Sequence, residues 1–404
     1  MCPFGAFPEK SSRDLFVEAF QAMRASVDRE LDPQRIEAMY LGNFSSEMFE
    51  HQGHSAPLLA DWIGLTPRPA TRIEDACASG GVALMQGILA IASGMYDVVL
   101  VGGVEKMSGL PIQRVTDVLA SAADELYEVS AGFTFPGFYA AMATAYLAQY
   151  GASADCLMDI TIKNHKNGAL NPDAQFQMSI PQLMEKARRK AAAAGQPLPA
   201  WKDAYDFLKD AQANPMIAYP LRMFDCSPVT DGAAALLLAA EDVADTFSRT
   251  PIAIIGSSQA SDSAMHARET LTSLKSSRTA AHQAYEMAGI HPQDIKLAEV
   301  HDCFTIAEVL ASEDLGFFAP GTGAHAAQDG MTARDGRIPI NTSGGLKAKG
   351  HPVGASGVAQ VVEVWEQMRE EAGPRQIQRD VNLALTHNVG GTGQTSTVHI
   401  FERR

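Results

Sequence analysis

Four segments of this 404-residue chain set a reactive or hydrogen-bonding group beside glycines, at the expected end of a strand or start of a helix. They are Glu74-Asp75-Ala76-Cys77-Ala78-Ser79-Gly80-Gly81, His301-Asp302-Cys303-Phe304, Gly350-His351-Pro352, and His387-Asn388-Val389-Gly390-Gly391. Small residues behind Cys77 lead into an apolar run that lacks the alternation of a strand, so the cysteine reads as lying at a helix N-terminus. Unpaired amides and the positive end of the dipole there favour thiolate, the form that attacks. Read locally, a cysteine among Ala and Gly is more often a small buried hydrophobe. His351 offers a base that titrates near neutral pH and can shuttle a thiol proton; the plainer reading is a helix-start histidine bonded to backbone. Cys303 would suit a second proton transfer, at carbon. The amides around Gly390 and Gly391 could meet a developing oxyanion, at about 3 kcal/mol per donor, although such glycines equally serve a tight turn.

These groups need elements that deliver them to one place. Ser11 to Val27 has helical spacing, with Ser11 or Ser12 as cap. Ile36–Leu41 reads as a strand, and a loop with His51 and His54 follows, an HxxH spacing without an acidic or third ligand nearby. Asp97–Val101 is a fully apolar strand ending in Gly102-Gly103, which is how a sheet covered on both faces is written. Residues 111–225 are polar and punctuated by proline, the pattern of a lobe laid over a core. Ala233–Ala240 returns to a buried strand. The second half repeats strands and helices from Ile252 through His282–Gly289, Ile295–Val300, Thr305–Leu315, the helix ending at Arg369, and the strand Val381–Leu385. Ala78-Ser79-Gly80-Gly81-Val82-Ala83 and Ala355-Ser356-Gly357-Val358-Ala359 echo each other, each opening a helix followed by a strand and a Gly-Gly turn. Two alike halves facing a shared centre would explain the echo. The halves are expected at 1–110 with 226–250, and at 251–404.

The net charge of -15 leaves no general basic surface for nucleic acid or an anionic membrane. With 46% hydrophobic and 20% charged residues the chain can bury a large core. The five scattered cysteines form no CxxC pair, which argues against a disulfide framework or a zinc site and for a reducing, cytoplasmic setting. No apolar run approaches membrane-spanning length, and the first residues show no basic region followed by an apolar core. Lys275, Arg278, Lys347 and Lys349 are basic positions that could face an anionic ligand, a solvated face being the plainer reading of each.

The four segments, with Gly103-Val104-Glu105-Lys106-Met107-Ser108 and Asn341-Thr342-Ser343-Gly344-Gly345, resemble in order the motifs of the thiolase superfamily, in particular the branch of archaeal and bacterial acetyl-CoA C-acetyltransferases and the thiolase domain of sterol carrier protein. The resemblance implies an α/β fold of five layers, αβαβα, made of two duplicated halves with a loop domain inserted in the first. It implies Claisen condensation or thiolysis of coenzyme A thioesters, with acyl-CoA and CoA as substrates and no bound cofactor or metal. By motif match Cys77 would carry the acyl group, His351 would activate it, Cys303 would be the acid and base at the α-carbon, and His301 would position a water in an oxyanion hole. The amides of Cys77 and of Gly390 and Gly391 would form a second hole. His387 stands where biosynthetic thiolases carry their second cysteine, and is a further candidate. The family opens with a Val/Ile-rich strand, whereas this chain starts near the turn after it; a missing central strand would expose unpaired edges, so either the given start is late or a partner completes the sheet. A homodimer or homotetramer is implied, together with, in some lineages, a zinc-bearing OB-fold protein and a hydroxymethylglutaryl-CoA synthase as partners. A β-ketoacyl synthase of the same fold is the second reading, disfavoured by Cys303. The third is a catalytically silent scaffold or lipid-binding protein.

Overall fold

The computed structural model describes residues 1–404, and its strands fall into two four-stranded sheets and one short hairpin. In chain order the strands are β1 (Ala38–Gly42), β2 (Ala70–Ile73), β3 (Val98–Glu105), β4 (Met216–Ala218), β5 (Leu221–Arg222), β6 (Gly232–Ala239), β7 (Ile252–Ser261), β8 (Leu297–Glu299), β9 (Leu383–Gly390) and β10 (Thr395–Arg403). The first sheet runs β2-β1-β3-β6 and the second β7-β10-β9-β8, while β4 and β5 form the hairpin within the insertion. Within the first sheet β1 is parallel to both neighbours and β6 is antiparallel to β3. Parallel strands covered on both faces should be apolar throughout, and β3 is buried at every position.

Two helices, Ser79–Ala92 and Ser356–Met368, lie between the sheets, and each contacts strands of both. Ser12–Ser26 and Ser55–Trp62 cover the outer face of the first sheet, and Lys275–Ala288 that of the second. Layers therefore alternate helix, sheet, helix, sheet, helix. The first helix begins in a capping box: the Ser11 hydroxyl accepts from the Asp14 amide and the Asp14 carboxylate accepts from the Ser11 amide. The echoed motifs open the two central helices. A Cβ on Gly80 would stand 2.8 Å from the Gly354 carbonyl oxygen, and one on Gly357 would stand 2.4 Å from the Gly81 amide nitrogen. Glycine is what lets these helix starts touch backbone to backbone.

Three expectations change. Gly102 and Gly103 do not end β3, which continues to Glu105, because they leave room for the Phe16 ring and for the Gly354 carbonyl. The strand expected at Val381–Leu385 instead spans Leu383–Gly390 and pairs in hairpin fashion with β10, so His387 and Asn388 lie inside a strand. No central strand is missing, since β1 and β3 are hydrogen-bonded neighbours. The chain start lies at the sheet edge beside β6, where the Cys2 amide donates to the Ala233 carbonyl and Gly5 and Asp231 exchange bonds of 3.2 and 2.7 Å. In the second sheet the corresponding edge is filled by β7, antiparallel to β10.

The inserted segment is mostly helical, with Phe135–Tyr150, Asp155–Gly168 and Ile180–Ala193 as its longest elements. Phe138, Tyr139 and Tyr146 of the first of these share one buried cluster with Cys303, Phe304 and Val389. The insertion is thus packed directly onto the end of the second sheet. No helix is long and apolar enough to cross a membrane.

Candidate active site

Cys77 sits on a turn between β2 and the helix Ser79–Ala92, one residue before the helix cap Ala78. Ala76 takes φ 49, a left-handed conformation that costs a residue with a Cβ about 1 kcal/mol or more. Hydrogen bonds around the turn hold it there. The Ala76 amide donates to the Glu74 carboxylate at 2.7 Å, the Ser79 hydroxyl to the Ala76 carbonyl at 2.6 Å, and the Asp75 amide to the Ser79 hydroxyl at 2.9 Å.

His351 follows Gly350, whose φ of 117 makes the turn, and its amide donates to the Thr230 hydroxyl at 3.0 Å. His301 and Cys303 follow β8. The Asp302 carboxylate between them accepts from the Leu346 amide at 2.6 Å and from the Asn164 side chain at 2.7 Å, which fixes the direction of its neighbours. The sulfur of Cys77 and ring nitrogens of His301 and His351 lie within 4.8 Å of one another, and the two rings stand nearly perpendicular with centroids 5.1 Å apart.

Hydrogen-bond accounting assigns the proton on each ring. The Ser356 hydroxyl donates to the Pro352 carbonyl at 2.9 Å, so it must accept from Nδ1 of His351 at 2.7 Å. The proton of His351 is then on Nδ1, and its buried, unpartnered Nε2 is a bare lone pair. His301 is the reverse. The Asn388 oxygen accepts from the Gly81 amide at 3.1 Å, so the Asn388 amide nitrogen donates to the Cys77 carbonyl at 3.1 Å and to Nδ1 of His301 at 3.0 Å. His301 consequently carries its proton on the unpartnered Nε2 and is a donor. One ring accepts and the other donates. Three such groups could also approach a metal ion, but His301 could coordinate through Nε2 only by losing its remaining ring proton while Asn388 still donates to Nδ1. The donor set suits proton transfer and anion binding better than metal ligation.

Burial sets the charge states. It pushes the Cys77 thiol up to about 12, with the Glu105 charge adding to the push and the Gly391 amide opposing it. His351 is pushed down to about 3 by burial and by the nearby Lys349 charge. Helix-terminus stabilisation of a resting thiolate, expected from the sequence, is therefore outweighed by desolvation, and the resting pair is neutral thiol and neutral imidazole. Burial likewise raises Cys303 and lowers His301. Glu105, held near 7 by burial, accepts from the amides of Phe44, Ser45 and Gly354 and ties the end of β3 to the His351 loop.

Cys77, Cys303, His351 and Gly391 line one cavity of about 140 Å³. Ile112, Val115, Leu119 and Phe135 form an apolar wall, and Cys226 lines it as a third thiol. Gly391 has φ 62 and its amide reaches the Cys77 sulfur, whereas Gly390 remains in the β9–β10 ladder opposite Thr395. His387 points away from this cavity, on the strand face opposite Asn388, and its Nε2 meets the Ser277 hydroxyl at 2.8 Å. His51 and His54 are exposed residues at the ends of short helices and belong to no ligand cluster. Lys347 and Lys349 are buried rather than solvated. The Lys349 ammonium is 3.7 Å from the Glu299 carboxylate and that of Lys347 is 5.7 Å from the Phe224 ring centre, while Lys275 and Arg278 are exposed. Sequence reasoning gave no role to Asn388, Ser356 or Glu105. An amide side chain one residue from a glycine-rich turn, and a serine one helical turn after a candidate base, are the signals that could have found the first two.

Two duplicated α/β halves thus bring a thiol, a lone-pair imidazole and a second thiol to one largely apolar cavity, an arrangement suited to nucleophilic and proton-transfer chemistry. Residues 1–242 match "Thiolase, N-terminal domain" and residues 257–403 match "Thiolase C-terminal domain-like". The acetyl-CoA acetyltransferase of Methanothermobacter thermautotrophicus is 43% identical over 401 residues, covering 99% of this chain and 97% of its own. That of Methanocaldococcus jannaschii is 40% identical over 405 residues, covering 98% and 96%. Among solved structures, the Ltp2-ChsH2(DUF35) aldolase superposes with a TM-score of 0.78 at 23% identity, covering 100% of this chain and 97% of that one. The chain belongs to the thiolase family. Within it, the protein is an acyltransferase enzyme with the thiolase fold.

Proposed function

We propose that the protein condenses two molecules of acetyl-CoA to acetoacetyl-CoA and CoA, and runs the reverse thiolysis, through an acyl group carried on Cys77. The opposite tautomers of His351 and His301 on either side of the Cys77 thiol carry this reading. The names of the two archaeal relatives support acetyl-CoA as the thioester. Nε2 of His351 takes the thiol proton as sulfur attacks the carbonyl, so a thiolate never rests uncompensated in the cavity. The departing CoA takes its proton from Cys303. Cys303, now a thiolate, removes the α-proton of the second thioester, and the Nε2–H of His301, with a water it holds, stabilises the enolate oxygen. The enolate carbon bonds to the acyl carbon, the carbon–sulfur bond to Cys77 breaks, and His351 returns the proton to Cys77. The amides of Cys77 and Gly391 serve the oxyanion of the acyl-transfer steps, with Gly390 shaping that loop.

The wider arrangement follows the same reading: halves at 1–110 with 226–250 and at 251–404, a loop domain at 111–225, a homo-oligomer, and a cytoplasmic setting supported by five free cysteines. The family resemblance adds an OB-fold zinc protein and a hydroxymethylglutaryl-CoA synthase as partners, and the Ltp2-ChsH2(DUF35) neighbour, a thiolase-like chain named together with a second component, supports a partner of some kind. Incubation with acetyl-CoA should add one acetyl group to the peptide containing Cys77, detected by mass spectrometry, and release acetoacetyl-CoA. Cys77→Ala should lose the adduct and lower turnover by a factor on the order of 10⁴ or more. Turnover retained in Cys77→Ala would overturn the reading.

A further inference from the structure

Tyr139 lies on the inserted helix Phe135–Tyr150 and is buried at 1% exposure, directly behind Phe304 and Gly391, two residues that line the cavity. Its ring stacks on Phe304, the residue after Cys303, with centroids 4.6 Å apart and planes at 23°. Its hydroxyl donates to the Gly391 carbonyl over a long 3.4 Å, it shares one buried cluster with Cys303, and it opposes the rise that burial imposes on the Cys303 thiol. A phenol has one proton to donate, and a hydrogen bond of this length is easily exchanged for a charge-assisted one.

We propose that Tyr139 is a positioning residue for Cys303: its hydroxyl bonds the Gly391 carbonyl while Cys303 is a thiol, and turns to the sulfur when Cys303 becomes the thiolate base. The inference rests on Cys303 acting at the α-carbon. It assigns the inserted segment a part in the chemistry, since that segment supplies the donor that makes a buried thiolate affordable. The titratable and charged groups around the pair are Cys77 from the first half, Asp302 and His301 beside Cys303, His351 across the cavity, Cys226, whose backbone makes an isolated bridge with Phe304, and Arg268, which donates to the Thr392 carbonyl at 2.7 Å. None of the others presents a neutral hydroxyl that can follow the sulfur between its two states.

The test compares two half-reactions in the full-length enzyme. Exchange of the α-protons of acetyl-CoA with deuterated solvent, followed by NMR, reads Cys303. Acetylation of Cys77 by p-nitrophenyl acetate, whose leaving group needs no proton, reads Cys77 and His351 alone. Tyr139→Phe should slow exchange about ten-fold and move its rising limb about one pH unit upward, with ester acetylation unchanged. Replacing Tyr139 by 3-fluorotyrosine, a stronger donor, should move the limb the other way. Exchange at the native rate in Tyr139→Phe, or an equal fall in both half-reactions, would overturn the proposal. Unimpaired exchange in Cys303→Ala would instead sink the reading of Cys303 on which it stands.

Discussion

The two central helices begin with nearly the same residues, yet one start carries Cys77 and the other is preceded by His351. The difference lies in what each turn must resist. Cys77 sits on a backbone held in a left-handed conformation at Ala76, and no side chain locks its sulfur. His351 sits on a turn whose strain is borne by Gly350, and its ring is locked by Ser356. In the proposed reaction the thiol that would form and break a covalent bond keeps its freedom, and the ring that would move its proton is held in one tautomer. Duplication supplied two equivalent helix starts, and the chemistry made them unequal.

The asymmetry is broken most directly at the locks. Ser356→Ala frees the His351 ring to move its proton from Nδ1 to Nε2, and Asn388→Ala frees the His301 ring to move its proton the other way, from Nε2 to Nδ1. A wrong tautomer removes the base rather than weakening it, so Ser356→Ala should lower kcat/KM by about 10² to 10⁴, with the fall appearing in both half-reactions. Asn388→Ala should lower it by about 10² through the lost donor on the enolate oxygen, with acetylation of Cys77 less affected. Steady-state and half-reaction kinetics distinguish the two. Equal effects of both variants on Cys77 acetylation would mean that the two histidines do not hold opposite protons.

The contact between the helix starts can be loosened next. Gly80→Ala sets a methyl 2.8 Å from the Gly354 carbonyl, backbone that cannot swing aside, so the loops bearing Cys77 and His351 must part. The expected cost is about 1–3 kcal/mol of stability, read as a lower urea midpoint, together with a fall in kcat larger than any change in KM.

Much of this architecture was legible from residue pattern. Cys77, His301, Cys303 and His351 stand out because glycine, proline and small residues announce turns, and the echo of Ala-Ser-Gly announces the duplication. What stayed hidden depends on contacts across the chain. Gly102 and Gly103 look like a strand end until Phe16 and Gly354 are seen to need their space. Lys349 looks solvated until Glu299, fifty residues earlier, is found 3.7 Å away. Strand β10 and the length of β9 depend on pairing partners, which no local period reveals. The charge state of Cys77 follows the same rule: a helix N-terminus is visible in sequence, and the burial that outweighs it is not.

His387 is where the second half should show the smallest catalytic effect and a clear thermodynamic one. It shares β9 with Asn388 but faces the other way, bonded to Ser277 and carrying an unpartnered, buried Nδ1. Burial lowers it from its ordinary 6.5 to about 3. The sign follows from which state binds the proton. Between those values the unfolded chain is protonated at this residue and the folded one is not, so its contribution to stability falls as pH drops below about 6.5 and stops falling near 3. By pH 5 that amounts to about 2 kcal/mol. His387→Gln cannot take up the proton, so its urea midpoint should decline less than the native protein's between pH 7 and pH 5, and kcat at pH 7 should stay within about three-fold of native. Parallel declines with pH would show that His387 is protonated in the fold. A loss of turnover comparable to that of Ser356→Ala would move His387 from the frame of the second half into the catalytic set.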